Sequence, residues 1–391
     1  MAAALSARRR NGNADVVLFE QHQRVGKKIM RTGNGRCNIM NAGATRGKYN
    51  GDAAFAEAVL RCVGKGEPRG FLFNFFESMG LLLREEDEGR IYPASQHAGS
   101  VVDMLRFHLD ALGVSVRTGE TVTGITKDGG RFTVATREGY RLNNVFDKVI
   151  VATGGAAGIG QNEATGYDLL REMGHSVSEL RPGLTRVSAP VESVTGLKGV
   201  RLHCSVKLMN GNVAEREETG EIIFSESGVS GIPIMNMSRH VKNGMCLSID
   251  TVPDIPLAKL SGIMGSAAQT LPLAEHVTRG VAHPRIARAI LAYCGYSANA
   301  PSDEVDFHTI ASSMKNWSIP AIRVGNMLAD AQVTAGGAAC REFMENTLES
   351  RVVKGLHAAG EILDVDGECG GFNLMFALAS GILAGRAACT E

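Results

Sequence analysis

The residues best suited to chemistry lie in a glycine-rich stretch near the C-terminus, residues 355–386, which reads GLHAAGEILDVDGECGGFNLMFALASGILAGR. A short apolar strand turns at Gly360 and is followed by two acidic residues, Glu361 and Asp364. A Gly-Gly pair at 370–371 then leads into an almost uncharged segment, shorter than the roughly 20 apolar residues that cross a bilayer. We predict a buried helix whose glycine-rich N-terminus lets the backbone approach an electron-rich ligand.

One face of this helix is predicted to be bare backbone. Ala377, Gly381 and Gly385 recur at four-residue spacing, which places them on the same side of a helix. Such a face packs closely against another element. The alanine-rich segment 1–7 is the predicted partner.

A second candidate is the basic loop at residues 26–43, GKKIMRTGNGRCNIMNAG, which has neither helical nor strand periodicity. Basic side chains and flexible backbone N–H groups together suit a phosphate or an electron-rich ring. A solvated basic loop is the alternative, but the run CNIM at 37–40 favours binding. The residues that carry this pattern are Lys27, Lys28, Gly33, Gly35, Arg31 and Arg36.

Two predicted strands end in residues that could also contact a ligand. The run DVVLFE follows a helix over residues 1–10 and ends at Glu20, as in the second half of a dinucleotide-binding βαβ unit. There the acid binds a ribose hydroxyl and lies about 20 residues after a GxGxxG loop. That spacing puts the loop at or before Met1, so the first strand and its phosphate loop are expected to be absent. The alternative is a surface glutamate that ends an ordinary strand.

A second buried run ends in ATGG, residues 152–155, which places Thr153, Gly154 and Gly155 at the carboxyl end of a sheet. Ligands of open α/β folds bind at that edge.

The remaining elements predict a discontinuous nucleotide-binding domain. Residues 181–255 contain several strand-like runs and residues 256–330 are mainly helical, while the glycine-rich α/β pattern returns near residue 331. We therefore predict an α/β fold with a nucleotide-binding domain over residues 1–180 and 331–391, which is the FAD-binding domain if the resemblance described below holds for it. A β-rich subdomain and a small helical subdomain are inserted between these parts.

Composition excludes several classes of function. The 391 residues include 41 basic and 41 acidic side chains, so no bulk charge attracts nucleic acid or an anionic membrane. The 8 cysteines form no CxxC pair and the histidines share no ligand spacing, so neither a zinc site nor a redox-active dithiol is indicated. Scattered cysteines and the lack of a signal sequence predict a cytoplasmic location. GxSxG, HExxH and P-loop motifs are also missing.

Taken in order, the motifs resemble the BaiN/RdsA-type NAD(P)/FAD-dependent oxidoreductases, also called aminoacetone-oxidase-like FAD-binding flavoproteins. GRCN and the final GE…D…GG[FY]N signature are specific to this group. The resemblance covers the chain from about residue 16 to its end. The matching segments are GNGRCNIMN (33–41), EGRIYPAS (88–95), VIVATGG (149–155), GEIIFSESGVSGIPIMNMS (220–238), AQVTAGG (331–337) and GLHAAGEILDVDGECGGFNLMFALASG (355–381).

The resemblance implies a two-dinucleotide-binding-type, Rossmann-like FAD domain interrupted by β-barrel-like and small helical subdomains. It also implies roles for particular residues. Glu20 would hold the adenosine ribose and Val122 would lie near the adenine. The pyrophosphate and ring region would be lined by Lys28, Gly33, Gly35, Arg36, Cys37 and Asn38, with Thr153, Gly154 and Gly155 at the sheet edge. Gly360, Glu361, Asp364, Gly371, Phe372 and Asn373 would close over the ribityl chain and isoalloxazine.

The sequence therefore predicts an enzyme that transfers a hydride between bound FAD and either a small organic substrate or NAD(P)H. No general acid or base is assigned, and no nucleic-acid or membrane partner is expected. The alternative is a non-catalytic or FAD-deficient remnant that acts as an interaction protein, because the GxGxAG loop of the family is missing. A milder departure is Asn34, where relatives often have glycine; asparagine tolerates left-handed backbone better than most residues.

Overall fold

The computed structural model describes residues 1–137, 145–158, 166–322 and 328–390. The chain divides into two compact units, one formed by residues 1–182 with 328–391 and the other by residues 183–327. The predicted division into three domains, with boundaries at 180, 255 and 330, stays a prediction.

The helices are α1 (Ala2–Arg10), α2 (Ala53–Val63), α3 (Pro68–Glu77), α4 (Ala98–Ala111), α5 (Gly166–Glu172), α6 (Val191–Val194), α7 (Ile232–Ser238), α8 (Leu257–Ala268), α9 (Ala274–Arg279), α10 (Pro284–Tyr293), α11 (Phe307–Lys315) and α12 (Phe372–Ala388). The strands are β1 (Val17–Glu20), β2 (Met40–Asn41), β3 (Tyr49–Gly51), β4 (Leu83–Glu85), β5 (Arg90–Pro93), β6 (Ser115–Thr118), β7 (Val122–Asp128), β8 (Arg131–Thr136), β9 (Val145–Phe146), β10 (Val149–Val151), β11 (Arg181–Gly183), β12 (Val187–Ser188), β13 (Arg201–Asn210), β14 (Val213–Ser225), β15 (Gly228–Gly231), β16 (Cys246–Asp250), β17 (Trp317–Pro320), β18 (Val333–Ala335), β19 (Leu356–Ala358) and β20 (Val365–Gly367).

Parallel strand pairs organise the first unit. Strand β1 pairs with β6, and β10 pairs with β19. Since parallel neighbours need a long crossover between them, these pairs are the structural mark of an α/β protein. The predicted α/β class is confirmed.

The C-terminal helix α12 lies in the core of this unit, as predicted from its apolar sequence. Its residues Met375, Phe376 and Ile382 are almost completely buried. A Cβ built on Gly381 would make ordinary contact with Ala2 and Ala3 of α1, whereas one on Gly385 would overlap the carbonyl group of Ala3. The predicted packing of the small-residue face against the first helix is therefore confirmed for both glycines.

The second unit is built on a six-stranded antiparallel sheet in the order β12-β15-β14-β13-β16-β17. An antiparallel bridge between Ser188 and Ile322 joins the two edges of this sheet, as barrel-like closure requires. Helices α8 to α11 belong to the same unit, and their apolar residues share one core with strand residues such as Phe224 and Trp317.

Among the residues that the structure describes, no helix is long and apolar enough to cross a bilayer.

Candidate functional site

An ion pair joins the basic loop to the C-terminal stretch across more than three hundred residues of sequence. Lys28 Nζ lies 2.7 Å from Glu361 Oε2. The other carboxylate oxygen of Glu361 accepts a hydrogen bond of 2.8 Å from the backbone N–H of Thr334. The carboxylate is thus held on both oxygens, one by a cation and one by a backbone donor.

The ATGG turn lies against the same carboxylate. A Cβ built on Gly155 would lie 2.8 Å from Glu361 Cδ and would also overlap the Thr334 hydroxyl, so only glycine fits there. The Thr334 hydroxyl in turn accepts a hydrogen bond of 2.9 Å from the N–H of Ala157. Thr153 is exposed at the end of β10, and its side chain packs against Gly166 at the start of α5.

A second group of predicted residues meets at the N-terminus of α12. The backbone of Gly371 lies so close to Asn38 that an added Cβ would be 2.7 Å from Asn38 Oδ1. A Cβ on Gly33 would be 2.8 Å from the backbone nitrogen of Asn38. Both glycines have positive φ, 55° at Gly33 and 101° at Gly371, so conformation and space require glycine at each.

Asn38 carries a buried polar atom with no partner. Its Oδ1 atom is shielded from solvent and accepts no hydrogen bond in the structure. An orphaned buried acceptor costs about 1–3 kcal/mol, so such atoms in native proteins call for a partner. A ligand N–H placed here would supply that partner.

The first turn of α12 is also open to a ligand. No side chain caps this N-terminus, and no acidic residue lies in its first turn. Asn373 instead makes two hydrogen bonds of 2.8 Å with the backbone of Gly367, one as donor and one as acceptor. Phe372 is buried with its ring edge-on to Tyr49. These two predicted site residues therefore hold the loop in place.

Arg36 is engaged away from this group. Its guanidinium group pairs with Glu86, donates to Gln96 and lies over the ring of Tyr92 at 4.1 Å. The hydrogen bond from Arg36 lowers the pKa of the Glu86 carboxyl. The predicted contact of Arg36 with a pyrophosphate stays a prediction, and its protein contacts are those of a structural residue.

Asp364 and Gly360 also have protein partners. Asp364 Oδ2 accepts a hydrogen bond of 2.9 Å from Ser178. The N–H of Gly360 donates to Ser380 of α12 at 2.9 Å, and the Gly360 backbone faces Ala377. Both residues fix the turn that presents Glu361.

Glu20 and Val122 lie together at another edge of the first unit. Glu20 ends β1 and accepts a hydrogen bond of 2.9 Å from the N–H of His22. Its backbone carbonyl accepts a hydrogen bond of 3.0 Å from the N–H of Glu120, two residues before Val122. The pairing of β1 with β6 therefore brings the predicted ribose and adenine residues to one edge.

Cys37, Gly35 and Gly154 complete the predicted set. Cys37 is buried, and burial raises the pKa of its thiol to about 11, so it is not a thiolate nucleophile at neutral pH. Gly35 and Gly154 both have positive φ, and a Cβ built on either would meet no atom within 4 Å. Asn34 has a φ of 54°, which confirms the expected left-handed conformation.

Sequence reasoning missed Thr334, Ser178 and Ser380, which position the carboxylates and the turn around them. Thr334 stands in the AQVTAGG motif, two residues before the first of its glycines, and that position was its signal. Ser178 and Ser380 have no signal in the sequence, because each acts through a contact made only after folding. Within the described ranges, no cluster of three metal-ligating side chains occurs.

Residues 1–387 match the family described as HI0933-like protein Rossmann domain. The chain belongs to this family, which is the BaiN/RdsA type indicated by the motifs, and this places it among the FAD-dependent oxidoreductases with a Rossmann-like domain.

Two curated relatives align over almost the full length. The 3-dehydro-bile acid delta(4,6)-reductase of Clostridium scindens is 34% identical over 99% of this chain and 96% of its own length. The ribosomal RNA dihydrouridine synthase of Escherichia coli is 26% identical over 93% of this chain and 90% of its own. Among solved structures, the 3-ketosteroid-delta4-(5alpha)-dehydrogenase of Rhodococcus jostii RHA1 has a TM-score of 0.46 and 14% identity, covering 100% of this chain and 94% of that one.

Proposed function

We propose that the chain binds FAD and transfers a hydride between the flavin and a small organic substrate, with NADH or NADPH as the electron donor. The observation that carries this proposal is the orphaned oxygen of Asn38 beside the uncapped N-terminus of α12. An isoalloxazine edge offers an N–H group flanked by carbonyl oxygens. That pattern complements one buried acceptor beside a set of free backbone donors.

In this proposal the residues divide into two groups. Asn38 would accept a hydrogen bond from the ring N–H, and the first-turn N–H groups of α12 would stabilise negative charge on the ring. Lys28 and the accessible backbone at Gly35 and Gly154 would contact the pyrophosphate part of FAD. Bound FAD supplies the hydride chemistry, while the protein supplies binding, orientation and electrostatics.

The electrostatic part of this role belongs to α12. The 17-residue helix presents the partial positive charge of its dipole at Gly371 and has no acidic residue in its first turn to offset that charge. A ligand that gains negative charge on reduction is stabilised there. The helix would therefore favour the reduced, anionic form of a bound ring.

The substrate class is proposed from the relatives. The more similar of the two relatives described above is named for the reduction of a 3-dehydro-bile acid, which is a small organic molecule. The other is named for ribosomal RNA. We favour the small molecule because the chain carries equal numbers of basic and acidic residues and lacks the excess positive charge that RNA binding uses.

The test of FAD binding is an absorbance spectrum of the purified protein, with and without added FAD, on the parent and two variants. Lys28→Met removes the cation paired with Glu361, and Asn38→Leu removes the orphaned acceptor while keeping the side-chain size. Lys198→Met is the control, since it removes a lysine from an ion pair with Glu226 in the other unit. We expect FAD affinity to fall about tenfold in each site variant and to be unchanged in the control. Lys28→Met loses a charge-assisted contact, which costs about 1.5–3 kcal/mol, and Asn38→Leu leaves a buried ligand N–H without an acceptor, which costs about 1–3 kcal/mol.

The outcomes separate the hypotheses. A parent protein without flavin absorbance, even after FAD is added, would support the non-catalytic alternative. If both site variants bind FAD as tightly as the parent, the proposed position of FAD beside Lys28 and Asn38 is refuted. Oxidation of NADH or NADPH by the loaded enzyme is then assayed with a 3-dehydro-delta(4,6) bile acid and, in parallel, with a ribosomal RNA transcript. Turnover of the transcript alone would refute the small-molecule assignment.

A further inference from the structure

A separate cavity of about 540 Å³ lies at the C-terminal ends of α1 and α12. Three arginines line it: Arg9 and Arg10 from the last turn of α1, and Arg386 from α12. A volume of this size lies within the range of about 300–1,000 Å³ that is typical of small-molecule sites and is far larger than a single ion needs.

The three arginines bring their positive charges together at this cavity. In the described part of the chain, none of the three guanidinium groups has a carboxylate oxygen within 4.0 Å. Arg386 lies over the ring of Phe71 at 4.7 Å and Arg9 over that of Phe75 at 5.2 Å. The guanidinium planes of Arg9 and Arg386 are thus supported by aromatic rings, and Arg9 also donates a hydrogen bond of 3.4 Å to the hydroxyl of Ser78.

Burial lowers the pKa of both Arg9 and Arg386, and the positive charge of Arg10 lowers that of Arg386 further. Like charges that converge repel one another, and a bound anion relieves that repulsion.

Basic residues at a helix C-terminus interact favourably with the partial negative charge of the helix dipole, and that role accounts for the run of arginines that ends α1. It does not account for the arrival of Arg386 from a second helix at the same cavity. The rest of the lining includes hydroxyl and amide side chains, Thr347, Thr390 and Asn346, and an apolar surface from Phe75 and Leu383.

We propose that this cavity binds a phosphate-bearing small molecule, with the three guanidinium groups around the phosphate and the apolar part of the molecule on Phe75 and Leu383. Arginine forks match phosphate oxygens in pairs, and the hydroxyl and amide groups can donate to the remaining ones.

This site is distinct from the proposed flavin site. Helix α12 has 17 residues and begins at the Gly371 end, so its C-terminal turn lies about 20 Å away along the axis, at 1.5 Å per residue. Occupation of the cavity therefore does not compete with the ring end of the flavin.

The test is isothermal titration of FAD-loaded protein with phenyl phosphate, which joins a phosphate to an apolar ring, and with phenol, which lacks the phosphate. The variants are Arg10→Gln, Arg386→Gln and the double variant. Arg171→Gln is the control, because this half-exposed arginine of the same unit pairs with Asp168 at a distance from the cavity. Retained flavin absorbance and an unchanged circular dichroism spectrum establish that each variant is folded.

We expect phenyl phosphate to bind the parent and the Arg171→Gln control equally, and phenol not to bind. Affinity should fall at least about fivefold in each single variant and more in the double variant, since each arginine contributes charge-assisted hydrogen bonds to the phosphate. Equal affinity of the parent and the double variant would overturn the proposal, as would binding of phenol as strong as that of phenyl phosphate. Arg10→Gln keeps the test decisive if Arg386→Gln fails to fold, because Arg10 is exposed.

Discussion

The contact between α1 and α12 gives a sharp prediction, because two glycines on the same helix face should respond to alanine in opposite ways. At Gly385 an added Cβ would lie 2.8 Å from the carbonyl carbon of Ala3 and closer still to its oxygen. At Gly381 the nearest atom outside the helix, the backbone nitrogen of Ala3, would be 3.6 Å away, which is an ordinary contact. Neither glycine has a positive φ, so conformation alone forbids alanine at neither position.

The magnitudes follow from two opposing terms. Alanine is favoured over glycine inside a helix by about 1 kcal/mol. Overpacking a close contact costs about 1–3 kcal/mol, and the overlap with the Ala3 carbonyl is at the severe end because backbone cannot rotate away as a side chain can. We expect Gly385→Ala to destabilise by about 2 kcal/mol, and Gly381→Ala to be neutral or to stabilise by up to about 1 kcal/mol.

The assay is urea unfolding followed by far-UV circular dichroism on the parent and both variants, at one FAD concentration. Each variant is the other's control, since the chemical change, the helix and the partner helix are the same. A Gly385→Ala variant as stable as Gly381→Ala would refute the reasoning. So would a marked loss of stability in Gly381→Ala.

Three further predictions concern the site and the titratable groups. Gly155→Ala should reduce flavin occupancy about tenfold, measured as the ratio of flavin to protein absorbance, because the overlap of its Cβ costs about 1–3 kcal/mol; unchanged occupancy would contradict it. Burial raises the pKa of Glu342, but the hydrogen bonds from Ser176 and His175, together with the charge of His175, outweigh burial and leave that pKa below its ordinary value. Its stabilising contribution is therefore complete above the unfolded pKa of about 4.3 and is lost as the pH falls through the folded pKa. Urea midpoints should separate Glu342→Gln from the parent at neutral pH and converge in acid; a constant difference would be inconsistent with this origin. Burial, and then the positive charge of Arg216, lower the pKa of His240 to about 4. Its contribution is present above the unfolded pKa of about 6.5 and falls away toward pH 4, and its ring proton resonances should not shift between about pH 8 and 5.5; a midpoint near 6.5 would rule this out.

Much of the fold could be predicted from local pattern. The apolar run ending at Glu20 and the one before the ATGG turn are strands, as predicted, and each belongs to a parallel pair. The uncharged segment after Gly371 is a buried helix. Each prediction depended on the spacing of apolar residues and on the positions of glycines. Both signals can be read within a few neighbouring residues of the chain.

The site was only partly predictable. The resemblance singled out Lys28, Glu361 and Asn38, but no local pattern pairs a lysine with a glutamate more than three hundred residues away. Arg36 illustrates the limit: its place in a basic, glycine-rich loop indicated a phosphate contact, while the folded chain places Glu86 beside it. Which partner a charged side chain finds depends on the loops that fold over it.

By itself, the sequence determined the class of protein, because spaced glycines, apolar runs and the GE…D…GGFN motif can be recognised in the chain before any tertiary contact is known. Only the tertiary structure decided how these parts act. It brought Gly371 against Asn38 and left one amide oxygen buried without a partner, and it gathered three arginines from two helices around one cavity. The burial of this oxygen and the meeting of these arginines depend on the packed molecule. A polar atom loses its contact with water, and like charges come close enough to repel one another, only when distant segments of the chain fold together.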